Sequence, residues 1–134
     1  MPPQNQAQKS VLLIDDDHYV LDFYADEFRN SGYDTDIAVG AAEALKKLRT
    51  EKNYSAIIFD VAMLAVDGFE LFEMIRKEGL AKDSVFIVLT NVTDPDKIQK
   101  AKELGINNYL IKVSTVPKEA VSKVSQILEE KPQI

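Results

Sequence analysis

Five polar residues with the chemistry of a phosphoryl site follow four separate apolar runs of the chain. Asp15 and Asp16 follow VLLI, Asp60 follows AIIF, Thr90 follows VFIVL, and Lys112 follows NYLI. Carboxylates bind Mg²⁺ and attack phosphoryl groups as nucleophiles, while a hydroxyl and an amine bind phosphoryl oxygens. If the runs are neighbouring parallel strands, their carboxyl ends meet at one edge of a sheet, where sites form. The pattern therefore predicts a site for a divalent cation and a phosphoryl group, typical of a regulatory switch more than of a catalyst.

The bulk composition is that of one acidic globular domain. The chain has 134 residues, of which 46% are hydrophobic and 28% charged, and its net charge is −6. This charge gives no general affinity for phosphate backbones, so we expect no direct contact with nucleic acid. The lack of cysteine excludes disulfides and thiol catalysis, and the single histidine argues against a zinc site built on histidines.

The N-terminal segment carries no sign of export or membrane insertion. Its sequence MPPQNQAQK lacks the apolar core of a secretory signal. Further along the chain, no apolar run approaches the ~20 residues that a membrane span needs. We therefore expect a cytoplasmic protein. Residues 1–9 are predicted to be a disordered tail, residues 10–130 a single domain, and residues 131–134 a second tail.

Short apolar runs alternate with amphipathic stretches, which predicts an α/β fold. Solid or alternating runs bounded by polar residues predict strands at residues 10–14, 34–38, 55–59, 85–89 and 108–111. Each run is followed by apolar residues at helical spacing, and Asp94-Pro95 and Pro117 are start signals for the last two helices. Five βα units favour a parallel sheet with helices on both faces. Periodicity alone leaves the order of the strands open.

Four short motifs make the chain resemble the receiver domain of two-component response regulators. They are LLIDDD, IIFD followed by Asp67-Gly68, VLTN and YLIK, and the resemblance extends over about residues 10–130. It implies a flavodoxin-like fold, in which five parallel strands in the order 2-1-3-4-5 are flanked by five helices on both faces. It also implies phosphorelay signalling, so we expect a single-domain response regulator and not an enzyme.

The resemblance assigns a role to the acidic residues of the predicted site. Asp60 corresponds to the aspartate that accepts the phosphoryl group. Asp15 and Asp16, together with Asp60 and the backbone carbonyl of Ala62, correspond to the Mg²⁺ ligands of the family. Mg²⁺ prefers such oxygen ligands, and it offsets the repulsion between clustered carboxylates and an incoming phosphoryl group.

The remaining site residues correspond to the phosphoryl contacts and the switch of the family. Thr90 matches the hydroxyl that binds the phosphoryl group, and Lys112 matches the lysine that pairs with one of its oxygens. Tyr109 matches the aromatic residue that rotates inward when Thr90 moves. The expected consequence is a change in the surface formed by helix 4, strand 5 and helix 5, which partner proteins recognise.

The resemblance implies two kinds of partner. A sensor histidine kinase or phosphotransfer protein supplies the phosphoryl group, and a downstream protein recognises the switched surface. A homodimer through the fourth and fifth helices is left open. The alternative function is a degenerate receiver that binds partners without phosphorylation. An aspartyl-phosphate hydrolase is disfavoured, because Ala62 stands where that class carries a second aspartate.

The chain departs from the family at several positions around the site. Val113 and Leu64 stand where the family has prolines, so we expect a trans peptide bond between Lys112 and Val113 and a shifted turn after it. Asn91 is larger than the small residue of the family, and it either crowds the phosphoryl site or adds a donor. The apolar segment VAMLAVDG, residues 61–68, is expected to pack on the protein itself in preference to a partner.

Overall fold

Five parallel strands form one sheet in the order β2-β1-β3-β4-β5. The computed structural model describes residues 8–50 and 52–130, so most of the predicted N-terminal tail and all of the C-terminal one lie outside the described residues. The strands are β1 Ser10–Asp15, β2 Asp34–Val39, β3 Ala56–Phe59, β4 Val85–Thr90 and β5 Asn108–Ile111. The flavodoxin-like order that the resemblance implied is confirmed.

The change from apolar to polar residues sets where the strands end. All four residues of β3 are buried, as are five of the six in β1 and in β4, because helices cover both faces of the sheet. Each predicted strand agrees with the observed one to within a residue at each end. Asp15 and Thr90 are themselves the last residues of β1 and β4, so the sheet fixes their backbone.

Helices follow the strands, and aspartates begin three of them. Asp17 caps the first helix with its side chain, Asp67 forms a capping box with Glu70 at the third, and Asp94 precedes Pro95 at the fourth. No helix within residues 8–50 and 52–130 is long and apolar enough to span a membrane. The helical elements are α1 His18–Asn30, α2 Gly40–Leu48, α3 Gly68–Lys77, α4 Pro95–Glu103, α5 Pro117–Glu130 and a 3₁₀ turn, Lys112–Ser114.

The sheet separates two apolar layers. On one face the strands pack with α1 and α5 around Phe28 and Val124. On the other face they pack with α2, α3 and α4 around Phe69 and Ile75. Side chains alternate between the two faces along each strand, so every strand contributes residues to one layer or to both. The packing of the two layers therefore fixes the strands whose carboxyl ends form one edge of the sheet.

Candidate functional site

The carboxyl ends of β1, β3, β4 and β5 bring four of the predicted site residues into direct contact. The Lys112 ammonium lies between two carboxylates, with Nζ 2.5 Å from Asp15 Oδ2 and 2.7 Å from Asp60 Oδ2. The Thr90 hydroxyl donates to the other Asp60 oxygen, Oδ1, over 2.5 Å. The four side chains form one connected polar cluster at the edge where the strand ends meet.

Asp60 is held by hydrogen bonds and by the start of α3. Its carboxylate accepts from the Thr90 hydroxyl, from the Lys112 ammonium, and over 2.9 Å from the backbone N–H of Ala62. Only 6% of the residue is exposed. Gly68 packs so tightly on the Asp60 backbone that a Cβ at position 68 would lie 2.3 Å from the Asp60 carbonyl oxygen. The carboxylate therefore has a fixed position with three donors directed at it.

Burial and ion pairing act in opposite directions on the charged groups. Burial raises the pKa of Asp15, and the hydrogen bond from Lys112 offsets that effect only in part. Burial alone lowers the pKa of Lys112, but its hydrogen bonds to Asp15 and Asp60 outweigh burial and raise the pKa above its ordinary value. Lys112 is therefore a cation at neutral pH, positioned between two carboxylates.

Asp16 lies at the same edge but contacts the loop between β3 and α3. Its Oδ2 accepts from the backbone N–H of Leu64 over 2.5 Å, and the residue is half-buried. A proline at position 64 would have no N–H to donate. The departure from the family at Leu64 is therefore what makes this contact between β1 and the loop possible.

The carboxylate and carbonyl oxygens at this edge are of the kind that Mg²⁺ prefers as ligands. In this structure Lys112 bridges two of the carboxylates, those of Asp15 and Asp60. Within the part of the chain that the structure describes, no three acidic or histidine side chains lie close enough together to hold a metal ion. Mg²⁺ needs only one or two carboxylates beside its waters and phosphate oxygens. Asp15 and Asp60 are such carboxylates, and the exposed Ala62 follows in the same loop.

A second series of hydrogen bonds leads from Thr90 to Tyr109. Thr90 is fully buried, and its Oγ1 accepts from the backbone N–H of Val92 over 3.3 Å. The Val92 carbonyl accepts in turn from the Tyr109 hydroxyl over 2.7 Å. Tyr109 is half-buried and packs against the core layer of α2, α3 and α4. The backbone of a single residue, Val92, therefore connects Thr90 with Tyr109.

The apolar loop after β3 packs mainly on the protein itself. Val61 and Met63 are buried, and Val66 is partly buried against the core. This confirms self-packing for three of the four large apolar residues in the segment. Leu64 is the exception, because it is 84% exposed. Ala65 beside it has a left-handed backbone with φ of 64°, so the loop turns sharply at that point.

The turn between β5 and α5 makes two contacts that the sequence analysis did not identify. No cis peptide bond occurs in the described residues, so the predicted trans bond before Val113 is confirmed. The N–H of Val113 donates to Asn91 Oδ1 over 3.0 Å, which makes Asn91 an acceptor at this turn. The Tyr24 hydroxyl donates to the Thr115 carbonyl over 2.8 Å. The absence of proline at position 113 indicated that an N–H is available there for the contact with Asn91. No local sequence pattern indicates the contact between Tyr24 and Thr115.

Comparison with known proteins identifies one family across most of the chain. A family model for the response regulator receiver domain matches residues 11–124. The chain is 33% identical over 126 residues to ycf27 of Cyanidium caldarium, a probable transcriptional regulator, covering 93% of this chain and 48% of that protein. It is 31% identical over 108 residues to a probable chemotaxis protein CheY of Rhizobium etli, covering 81% of this chain and 84% of that protein.

A solved structure has the same fold over nearly its full length. The crystal structure of a CheY-like response regulator receiver domain protein from Methanospirillum hungatei JF-1 superposes with a TM-score of 0.83 at 25% identity, covering 92% of this chain and 96% of that one. The chain spans about half the length of the transcriptional regulators it matches. The likeness to those regulators therefore concerns one part of each.

Proposed function

The chain belongs to the response regulator receiver domain family, and on this basis we propose that Asp60 accepts a phosphoryl group from a phosphohistidine side chain of a partner protein. The observation that carries the proposal is the buried Asp60 carboxylate with the Thr90 hydroxyl and the Lys112 ammonium bound to it. Such a carboxylate is a nucleophile toward phosphorus. The two donors are near enough to bind oxygens of the group that it accepts.

The transfer forms an acyl phosphate and frees the histidine of the donor. An Asp60 oxygen attacks phosphorus, and the new O–P bond forms as the P–N bond to the imidazole breaks. The imidazole nitrogen keeps the electron pair and takes up a proton. Lys112 exchanges its contact with Asp60 Oδ2 for a phosphoryl oxygen, because that group brings additional negative charge. The Thr90 hydroxyl turns to a second phosphoryl oxygen.

Mg²⁺ belongs to the proposal as the cation that offsets the charge of the carboxylates and the phosphoryl group when it is bound. Asp15, Asp16, Asp60 and the backbone carbonyl of Ala62 are the residues that would hold it. To serve as a ligand, Asp16 would give up the hydrogen bond that it accepts from the Leu64 N–H. Before that change, Lys112 balances the charge of Asp15 and Asp60.

The proposed output is a changed surface formed by α4, β5 and α5. When Thr90 moves toward the phosphoryl group, its hydrogen bond with the Val92 N–H changes, and so does the Val92 carbonyl that holds Tyr109. Tyr109 then takes a second position. Proteins that distinguish the two arrangements bind one of them preferentially. Thr90 and Tyr109 are thus the proposed switch residues.

The proposed partners follow from this chemistry. A sensor histidine kinase or phosphotransfer protein supplies the phosphoryl group, and a downstream protein recognises the switched surface. The role is that of a response regulator receiver formed by residues 10–130, a signalling protein rather than an enzyme. A cytoplasmic location without direct contact to nucleic acid or membrane belongs to the same proposal, and dimerisation stays open.

Intact-mass spectrometry after incubation with acetyl phosphate tests the proposal. We expect one phosphoryl adduct that requires Mg²⁺, is absent from Asp60→Ala, and persists in Asp22→Ala, a matched change in α1 at a carboxylate that is 49% exposed and pairs only with His18 among the ion pairs of the described residues. Comparable labelling of Asp60→Ala would refute the assignment. If the native chain neither forms an adduct nor binds beryllofluoride, the phosphorylation-independent interaction module becomes the better interpretation.

A further inference from the structure

A side chain holds the turn between β5 and α5 where the sheet ends. Thr90 and Ile111 are the last pair of the β4–β5 ladder, so the ladder stops immediately before Lys112. One step further, the backbone N–H of Val113 donates to Asn91 Oδ1 over 3.0 Å. The Asn91 side chain thus takes the place of a backbone acceptor and continues the pairing beyond the last strand residues.

Packing does little to hold the turn at Val113. The residue is 82% exposed, so its side chain has few apolar contacts to fix its position. Beyond it, Thr115 is buried and is bound through its carbonyl to the Tyr24 hydroxyl. The segment between Ile111 and Thr115 is therefore fixed at both ends, and the hydrogen bond to Asn91 fixes it in the middle.

Lys112 lies in this segment, and its ammonium has to meet two carboxylates at once. Nζ contacts both Asp15 and Asp60 from the end of a flexible side chain, which loses much rotamer freedom when it is held in one geometry. A mobile backbone would spread the positions of the ammonium further. The ladder at Ile111 and the Asn91 contact at Val113 fix the backbone on either side of Lys112.

We propose that Asn91 is a positioning residue for Lys112. It acts through the backbone N–H of Val113 and keeps the ammonium aligned with Asp15 and Asp60. The consequence for phosphorylation rests on the proposed function, in which Lys112 pairs with the phosphoryl group. Asn91 is thus neither an obstruction of the site nor a donor to phosphate in this proposal.

Amide hydrogen exchange tests the contact itself. In Asn91→Ala the Val113 amide should exchange about two- to tenfold faster, since a hydrogen bond of this kind contributes a free energy that corresponds to such a factor. Asn91→Asp keeps an acceptor of the same shape and should restore protection. Asn107→Ala, at an exposed asparagine just before β5, should change nothing. The NMR signal of the Lys112 ammonium should shift in Asn91→Ala and stay unchanged in Asn107→Ala. An unchanged Val113 amide or Lys112 signal in Asn91→Ala would overturn the proposal.

A double-mutant cycle tests the consequence for phosphorylation. Asn91→Ala should slow Mg²⁺-dependent labelling by acetyl phosphate about two- to tenfold, yet leave the residual rate of Lys112→Ala unchanged, because Asn91 acts through Lys112. Equal slowing in both backgrounds, or no slowing in either, would overturn the positioning role. If the native chain neither labels nor binds beryllofluoride, the proposed function fails, and the Val113 amide and Lys112 signal still decide the positioning claim.

Discussion

A single ammonium group balances two buried carboxylates at the carboxyl edge of the sheet. Asp15 and Asp60 are each 6% exposed, and the Lys112 Nζ contacts both. Removing one partner of a buried pair is costly, because it leaves a charge without compensation in a poorly solvated place. The resting site therefore depends on Lys112 for stability as well as for the chemistry proposed above.

Lys112→Met should lower the free energy of unfolding at pH 7 by about 3 kcal/mol, because two buried carboxylates lose their common cation. Mg²⁺ should restore part of the loss by binding the same oxygens. Urea denaturation with and without Mg²⁺ measures both effects. Lys52→Met is the matched control. Lys52 also bridges two carboxylates, Asp34 and Asp36, but all three side chains are about a third exposed or more, so we expect a loss of at most about 1 kcal/mol. Mg²⁺ should stabilise Lys52→Met only as much as it stabilises the native chain, because the proposed cation site is intact. Equal losses in the two variants would contradict the interpretation.

Away from the phosphoryl site, Asp36 forms a second charged group with a pH-dependent contribution to stability. Its Oδ2 accepts from the Tyr54 hydroxyl over 2.5 Å and from Lys52 over 2.9 Å. Burial raises the pKa of Asp36, but these hydrogen bonds outweigh burial and lower it below its ordinary value. A lowered carboxyl pKa stabilises the folded state above the ordinary value, and the contribution is lost as pH falls through the folded value.

Tyr54→Phe should lower the free energy of unfolding at pH 7 by about 1–2 kcal/mol, and the variant should lose less further stability than the native chain below about pH 4. Tyr24→Phe is the comparison, because it removes a hydroxyl that donates to a carbonyl. A carbonyl does not titrate, so the free energy of unfolding that this variant loses should be similar at every acid pH. Urea denaturation between neutral and acid pH provides the comparison. Parallel pH profiles for the native chain and Tyr54→Phe would rule out the Asp36 contribution.

Among the elements, α3 packs closely against the backbone of Asp60. Its first residue, Gly68, lies against the Asp60 carbonyl and against Val61 Cα, which a Cβ would approach to 2.7 Å. The Gly68 N–H also donates to the Val61 carbonyl over 3.0 Å. The loop between Asp60 and α3 is therefore closed tightly by a contact that only glycine permits.

Gly68→Ala should destabilise the fold by about 2 kcal/mol or more, because the clash is with backbone atoms that have little room to move. It should also slow labelling of Asp60, whose backbone must shift. Gly105→Ala is the comparison, since a Cβ there meets nothing within 4 Å and only the left-handed φ of 89° is strained, which we expect to cost about 1 kcal/mol. Thermal unfolding and labelling rates measure the two effects, and unaltered labelling in a folded Gly68→Ala would show that this contact does not set the position of Asp60.

The strands and helices could be predicted from the sequence, because buried positions are occupied by apolar residues at the spacing of a strand or a helix. A run such as AIIF has no polar side, so it predicts a strand covered on both faces, and the change to Asp60 marks its end. Periodicity did not give the order of the strands, which came from the resemblance to a family. Contacts such as Leu64 with Asp16 and Tyr24 with Thr115 join positions 48 and 91 apart, and only the folded chain brings those atoms together.

Across the whole molecule, both core layers contact residues in or near the proposed phosphoryl site. The layer of α1 and α5 does so through the Tyr24 hydroxyl on Thr115. The layer of α2, α3 and α4 does so through Gly68 of α3, which packs against the Asp60 backbone. It does so also through the Tyr109 hydroxyl, which donates to the Val92 carbonyl. In the proposed function, a group added to Asp60 would therefore act on both layers at one edge. The hydrogen bonds named here do not link the opposite edge, around Tyr54 and Ser84, directly to that site.

Beryllofluoride with Mg²⁺, a mimic of the phosphoryl group, should shift the NMR signals of residues 90–92 and 112–115 and leave those of Tyr54 and Ser84 nearly unchanged. At about 100 times its Kd it should also raise the free energy of unfolding by about 2.7 kcal/mol, with no effect on Asp60→Ala. Shifts spread evenly over both edges of the sheet would contradict a local switch.

Peptide mass spectrometry after borohydride reduction of the phosphorylated protein identifies the residue that carries the phosphoryl group. Borohydride reduces an acyl phosphate to an alcohol, so the modified aspartate becomes homoserine while free carboxylates remain. We expect homoserine at position 60 alone, and only when both phosphodonor and Mg²⁺ are present. Homoserine at Asp15 or Asp16, or none in a sample whose intact mass carries the adduct, would contradict the assignment of Asp60 as the acceptor.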